Sequence, residues 1–176
     1  MSHAEPQSAE PMVAGTANPT SWATAQDVLR EATTTYWLAT VRPDGLPHVV
    51  PVLAVWVGGG LFFSAGQSTR KARNLVWNPR CVVTVEKEPL DLVVEGTASK
   101  VRHEDTLQRV AGAYASIYDW HVTVRDATLH YVAGATTAGP PPYDVYEVIP
   151  TTAFGFGTDG TLTPTRWRFG DQLHHG

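Results

Sequence analysis

The chain has 176 residues, a formal net charge of −4 and a pI near 5.9. That is enough length for one domain with a real core, and too acidic a balance for a general nucleic-acid binder, which carries excess basic charge on one face. The single cysteine, Cys81, excludes an intrachain disulfide and a multi-cysteine metal site, and no apolar run approaches the ~20 residues of a membrane span.

Residues 1–18, rich in Ala, Pro, Glu and Ser, hold almost no large apolar groups to offset the entropy of ordering. They are expected to form a disordered N-terminal tail. With neither the basic nor the hydrophobic segment of a signal peptide, the chain is expected to be soluble and cytoplasmic. The folded domain is expected over residues 19–170, with a short C-terminal tail at 171–176. Thr20 or Ser21 can cap a first helix running to about Ala32, whose apolar face is Trp22, Ala25, Val28 and Leu29.

From Thr35 the period changes. YWLATVRP is β-branched and aromatic, PDG is a turn, and PHVVPVLAVWV is a second strand-like run, so the pair reads as a hairpin. Gly58, Gly59 and Gly60 turn the chain into LFFSA, a third strand. Pro47 and Pro51 confine the second strand to an edge or an irregular stretch. A strand with unpaired backbone can present N–H and C=O groups to a flat ligand, which makes His48, Val49, Val50 and Pro51 a candidate cofactor wall.

The stretch Phe62 to Val85 is the most informative in the chain. It reads as strand, small-residue turn, short basic helix, Asn-Pro stop and strand. Four of the thirteen Lys and Arg residues, Arg70, Lys71, Arg73 and Arg80, fall within it, so a locally positive site sits in an acidic protein. Ser68 and Thr69 are candidate N-caps. A helix start already favours an anion through its free N–H groups and dipole, and the adjacent Arg70 and Lys71 add charge-assisted hydrogen bonds. A phosphate-bearing cofactor is the indicated ligand.

Two further strands follow, CVVTVE and LDLVVEGTASKVR. A helix with Leu107, Val110, Ala111 and Tyr114 at helical spacing comes next. Residues 119–142 read as a long connection able to cover a pocket. YDVYEVIPTTAFGFG is a last strand, and TPTRWRF forms the tail, in which Trp167 lies between two arginines. This order indicates a mainly β fold with peripheral helices, a six-stranded antiparallel Greek-key split barrel, rather than a doubly wound parallel sheet.

Other chemistries are poorly supported. Gly155, Gly157 and Gly160 match G-x-G-x-x-G, but Pro164 follows where a helix should open. His48, His103, His121 and His130 lack paired ligand spacing, so no metal site is assigned. Without G-x-S-x-G, Ser64 and Ser68 have no evident partner, so no catalytic side chain is assigned either. Trp37, Trp56 and Trp77 read as core or interface residues.

The run S-T-R-K-x-x-N-L, followed by N-P-R and a strand, resembles the pyridoxamine 5′-phosphate oxidase-like superfamily of flavin and deazaflavin oxidoreductases. The resemblance spans about Trp22 to Phe169 and implies a split barrel, typically a homodimer with cofactor sites at the subunit interface. It implies that Thr69, Arg70 and Lys71 bind the cofactor phosphate and that Asn74 reaches the cofactor. The Arg-Leu-Ala-Pro-like tail of the B6 oxidase itself is absent, which argues against vitamin B6 oxidation. TPTRWRF and GATTAGPPPYDVYEV look like the branch using coenzyme F-420, a deazaflavin. The implied activity is hydride transfer to an unsaturated or quinone-like small molecule, with the cofactor carrying the chemistry. Arg73, Arg80 and Arg42 are then candidates for a polyglutamate tail, and Trp167 for the substrate face. An FMN-dependent enzyme of the same fold is the near alternative. A non-catalytic carrier of flavin, deazaflavin or haem, the last with His121 or His130 as ligand, is the more distant one.

Overall fold

The computed structural model describes residues 5–15, 18–31, 35–131 and 139–170. Among the described residues three helices interrupt a series of eleven strands, and every strand pairing is antiparallel. The helix α1 (Trp22–Glu31) starts where Ser21 Oγ accepts from the Thr24 N–H at 3.2 Å, and it buries Trp22, Ala25, Val28 and Leu29 as its periodicity requires. Strands β2 (Tyr36–Val41) and β3 (Pro47–Val52) form the expected hairpin. The long run after Pro47 is not one strand. At Leu53 the chain leaves β2 and re-enters the sheet as β4 (Ala54–Val57), paired with β5 (Gly60–Gly66). Two tyrosines of α3 (Glu104–Tyr118) fix this crossover, Tyr114 Oη donating to the Leu53 carbonyl at 3.1 Å and Tyr118 Oη to that of Ala54 at 2.7 Å.

After β5 come α2 (Arg70–Trp77), β6 (Arg80–Val85) and β7 (Leu90–Lys100). Strand β10 (Tyr143–Gly157) ties the molecule together. Its first half lies between β5 and β7, and beyond a register shift at Pro150/Thr152 it gives up β5 and pairs with β11 (Thr165–Arg168). This change of partner splits the sheet, whose main path runs β11, β10, β7, β6, β2, β3. The sheet has more strands than the six expected and does not close.

Two expectations about chain ends and loops are corrected. Residues 8–11, assigned to a disordered tail, form β1 (Ser8–Pro11), an edge strand on β11 with an Arg166–Glu10 ion pair across it. Ladder hydrogen bonds need no apolar side chains, so composition hides such a strand. Residues 119–142 are not a plain connection. Trp120 is buried beneath α3, and β8 (Thr123–Arg125) and β9 (Thr128–His130) make a small hairpin that joins β10 through Leu129.

Two apolar clusters result. One fills the barrel with Trp22, Leu38, Phe63, Leu92 and Trp167, and the other lies under α3 with Leu107, Tyr114, Trp120 and Tyr143. Cys81 is buried in the first, and burial pushes its thiol up to about 12, leaving a packing group rather than a nucleophile. Gly155 and Gly157 are explained by packing. A Cβ on Gly155 would sit 2.6 Å from the Trp167 ring, and one on Gly157 2.4 Å from the Leu162 carbonyl. Among the described residues no helix is long and apolar enough to cross a membrane.

Candidate phosphate site

The turn from β5 into α2 is short because Thr69 does two jobs. Its Oγ1 donates to the Gly66 carbonyl at 2.7 Å and accepts from the Ala72 N–H at 3.4 Å, making it the N-cap. Ser68 does not cap; its carbonyl accepts from Arg73 Nη1 at 2.6 Å. With the cap set at Thr69, Arg70 and Lys71 are the first two helical residues, where N–H groups are unpaired and the dipole is positive. Arg70 is exposed and Lys71 partly buried, and burial lowers the Lys71 pKa. Among the described residues neither has a carboxylate within ion-pair distance.

Strand β3 forms the opposite wall. It is the end strand of the path and, among the described residues, pairs only with β2, as its prolines require. A proline has no N–H to exchange, so the Trp37–Pro51 and Val41–Pro47 pairs are non-hydrogen-bonded, and residues 47, 49 and 51 turn their backbone groups to the free edge. That edge offers carbonyls at all three positions and an N–H at Val49. Side chains alternate accordingly. His48 and Val50 share the face of the buried Thr40 and Leu38, whereas Val49 and Pro51 lie on the other, exposed face.

His48 adds an unsatisfied ring nitrogen to this group. Its Nδ1 is buried with no hydrogen-bond partner among the described residues. Its pKa is lowered by burial first, then by the charges of Arg70, Lys71 and Arg42. Arg42 is balanced by Asp44, but among the described residues no carboxylate pairs with Arg70 or Lys71, so a bound anion would meet two unbalanced cations and an imidazole nitrogen without a partner. A phosphate fits this donor set: two cations, free N–H groups at a helix start and a ring nitrogen able to accept or donate.

The remaining candidates separate from this group. Asn74 is 2% exposed, and its Nδ2 donates to Thr40 Oγ1 at 3.0 Å, so it locks α2 onto β2 rather than opening toward a ligand. Arg73 bends back to the Ser68 carbonyl, and Arg42 holds Asp44 at 2.6 Å in the turn before β3. Arg80, from the register of β6, stands on the outer sheet face with Val82 and Ala39. Trp167 is corrected outright as a substrate contact. It is 0% exposed, its Nε1 donates to the Thr20 carbonyl at 3.1 Å, and its ring packs edge-on against Trp22 at 5.4 Å. Arginine neighbours mark an exposed residue only when the strand is not half-buried, and β11 is. His121 is exposed and His130 half-buried in the β8–β9 region, bonded to Asp119 and to Arg125 and Thr128 respectively.

The profile of the pyridoxamine 5′-phosphate oxidase family matches residues 22–156. The chain belongs to this family. No curated protein matches. Among solved structures, an F420 reductase is 27% identical, with a TM-score of 0.50 over 72% of this chain and 94% of that one. A conserved hypothetical protein from Mycobacterium tuberculosis is 19% identical, with a TM-score of 0.61 over 80% and 86%. A haem-binding protein from Mycobacterium smegmatis is 17% identical, with a TM-score of 0.58 over 85% of this chain and 59% of that one. The last two share the fold alone. The family's split barrel is a flavin- and deazaflavin-binding fold, and the sequence resemblance to it stands.

Thr40 was missed from sequence. Only its cross-strand pairing with His48 and the helix turn that brings Asn74 above it reveal its place beneath the site.

Proposed function

We propose that this protein is an oxidoreductase that holds coenzyme F-420 by its phosphate and uses it to reduce an unsaturated or quinone-like small molecule. The observation that carries the reading is that, among the described residues, Arg70 and Lys71 have no carboxylate partner and His48 Nδ1, on which their charges act, has no hydrogen-bond partner. Arg70 and Lys71 would hold the phosphate, His48 would complete the anion contact, and the free edge of β3 at residues 47, 49 and 51 would lie along the ring system. When bound, the deazaflavin supplies hydride chemistry, and no protein nucleophile is needed. The similarity to an F420 reductase supports F-420 over FMN. FMN is the second reading because it presents the same phosphate to the same cations.

The active unit proposed is a homodimer. Trp37 and Val49, 47% and 55% exposed, lie on the outer face of β2 and β3, with Leu53 close by. Val76 and Trp77 are 82% and 68% exposed at the end of α2. Apolar groups of this size around an open site are what a second subunit covers. Sedimentation of the wild type and of Trp37→Asp should show a dimer and a weakened dimer; a monomeric wild type refutes this part. Titration with F-420 and with FMN, read by quenching of ligand fluorescence, tests the cofactor. Micromolar binding of F-420 with weaker FMN binding supports the reading, and binding of neither ends it.

A further inference from the structure

The turn that carries the phosphate site is held in shape by its own atoms. Thr69 N–H and Oγ1 both bond the Gly66 carbonyl, and Arg73 reaches back to Ser68. Those bonds are local and do not fix where the turn sits against the barrel. Helix α2 is pinned on one side by Asn74 on Thr40. On the other side, one side-chain hydrogen bond among the described residues joins the turn to a distant element: Gln67 Nε2 donates to Asp144 Oδ1 at 3.1 Å, across 77 positions of sequence.

Asp144 is an unusual anchor. It is 4% exposed on β10, and its other oxygen takes Lys100 Nζ at 2.7 Å. Burying a carboxylate is costly unless its charge is paired and its oxygens are bonded, and Lys100 and Gln67 supply both. The three residues line a cavity of about 290 Å³ beside α2, together with Ala72, Arg73 and Tyr146. Their place follows from the ladder: Asp144 pairs with Ala65 and Tyr146 with Lys100, so the carboxylate stands at the exit of β5, next to Gly66 where the turn begins.

We infer that Asp144 and Gln67 are positioning residues for the phosphate site, Asp144 fixing through Gln67 the turn from which Thr69, Arg70 and Lys71 project. This rests on the reading of that site as a phosphate holder. The consequence is selective. Loosening the turn should cost affinity only for ligands that carry the phosphate, because the ring wall belongs to β3 and is held by β2.

The test compares the wild type with Gln67→Met, which keeps the length of an exposed side chain and removes its donor, leaving the Asp144–Lys100 pair intact. Four ligands are titrated: F-420 and its phosphate-free deazaflavin core, FMN and riboflavin. Loss of one hydrogen bond to a carboxylate anchor should weaken the phosphorylated ligands about tenfold. The phosphate-free pair should change less than about twofold, while the melting temperature falls by a few degrees because one oxygen of the buried Asp144 carboxylate loses its partner. Asp144→Asn, which keeps an acceptor for Gln67, should retain more of the preference for phosphorylated ligands than Asp144→Leu. Equal losses for all four ligands, or no loss for any in Gln67→Met, overturn the inference. If the wild type itself binds phosphorylated and phosphate-free ligands equally, the phosphate-site reading has failed, and that failure is visible before any variant is compared.

Discussion

Replacing Arg70 and Lys71 together by alanine removes both cations from the start of α2 while leaving its cap, Thr69, in place. Each would make a charge-assisted hydrogen bond to a phosphate, worth about 1.5–3 kcal/mol. Arg70 is exposed and belongs at the lower end of that range, whereas Lys71 is partly buried and its contact is less screened. Together they amount to about 3–5 kcal/mol, or a loss of affinity of about a hundredfold to several thousandfold. Stability should move the other way. Neither cation pairs with a carboxylate among the described residues, both oppose the helix dipole at its positive end, and alanine is the better helix former. The assay is a fluorescence titration with F-420 and FMN at low and moderate salt, paired with a thermal melt of the ligand-free protein. The expected result is near-abolished binding with a melting temperature equal to or above that of the wild type. Affinity within a few fold of the wild type, or a loss of affinity that merely follows a collapse in melting temperature, refutes the reasoning.

His48 makes the ligand-free protein acid-sensitive. Folding lowers its pKa below the ordinary 6.5, so on acidification the unfolded chain takes up a proton that the folded chain resists. Stability should fall as pH drops from about 6.5 to the depressed folded value, and His48→Gln should lose that part of the pH dependence of the melting temperature. Trp167→Ala should destabilise by about 3–5 kcal/mol in urea unfolding, from a side chain that is 0% exposed. Trp167→Phe should cost about 1–3 kcal/mol, since it leaves the Thr20 carbonyl without its donor. Once folding is saturated, neither should change cofactor affinity. Gly96→Ala should destabilise by at least about 1–3 kcal/mol, because its Cβ would lie 2.2 Å from the backbone carbonyl of Ile149 and two ladder strands would have to part.

Much of this fold was legible because its signals are local. The periodicity of Trp22, Ala25, Val28 and Leu29, the prolines of β3 and the cap at Thr69 each act within a few residues, and each stands where the pattern placed it. What could not be read depends on pairing between distant segments. The partner change of β10 at Pro150/Thr152, the addition of β1 to β11 and the burial of Trp167 are set by register across the sheet. The same division runs through the site. Arg70 and Lys71 announce themselves as adjacent cations at a helix start, but the inward-facing Asn74 follows from the helix phase relative to Thr40. The anchor at Asp144 could not be found from sequence, since nothing near it in the chain points to Gln67.

The proposed phosphate would bear on His48 as well as on Arg70 and Lys71. The most direct measurement follows the His48 ring nitrogens by NMR through a pH titration, in the free protein and with saturating F-420 or FMN. Phosphate binding should offset the charge of Arg70 and Lys71, so the His48 pKa, depressed in the free protein, should rise on binding and its Nδ1 resonance should shift. A tightly bound cofactor that leaves both the pKa and the resonance of His48 unchanged would contradict the placement of the phosphate.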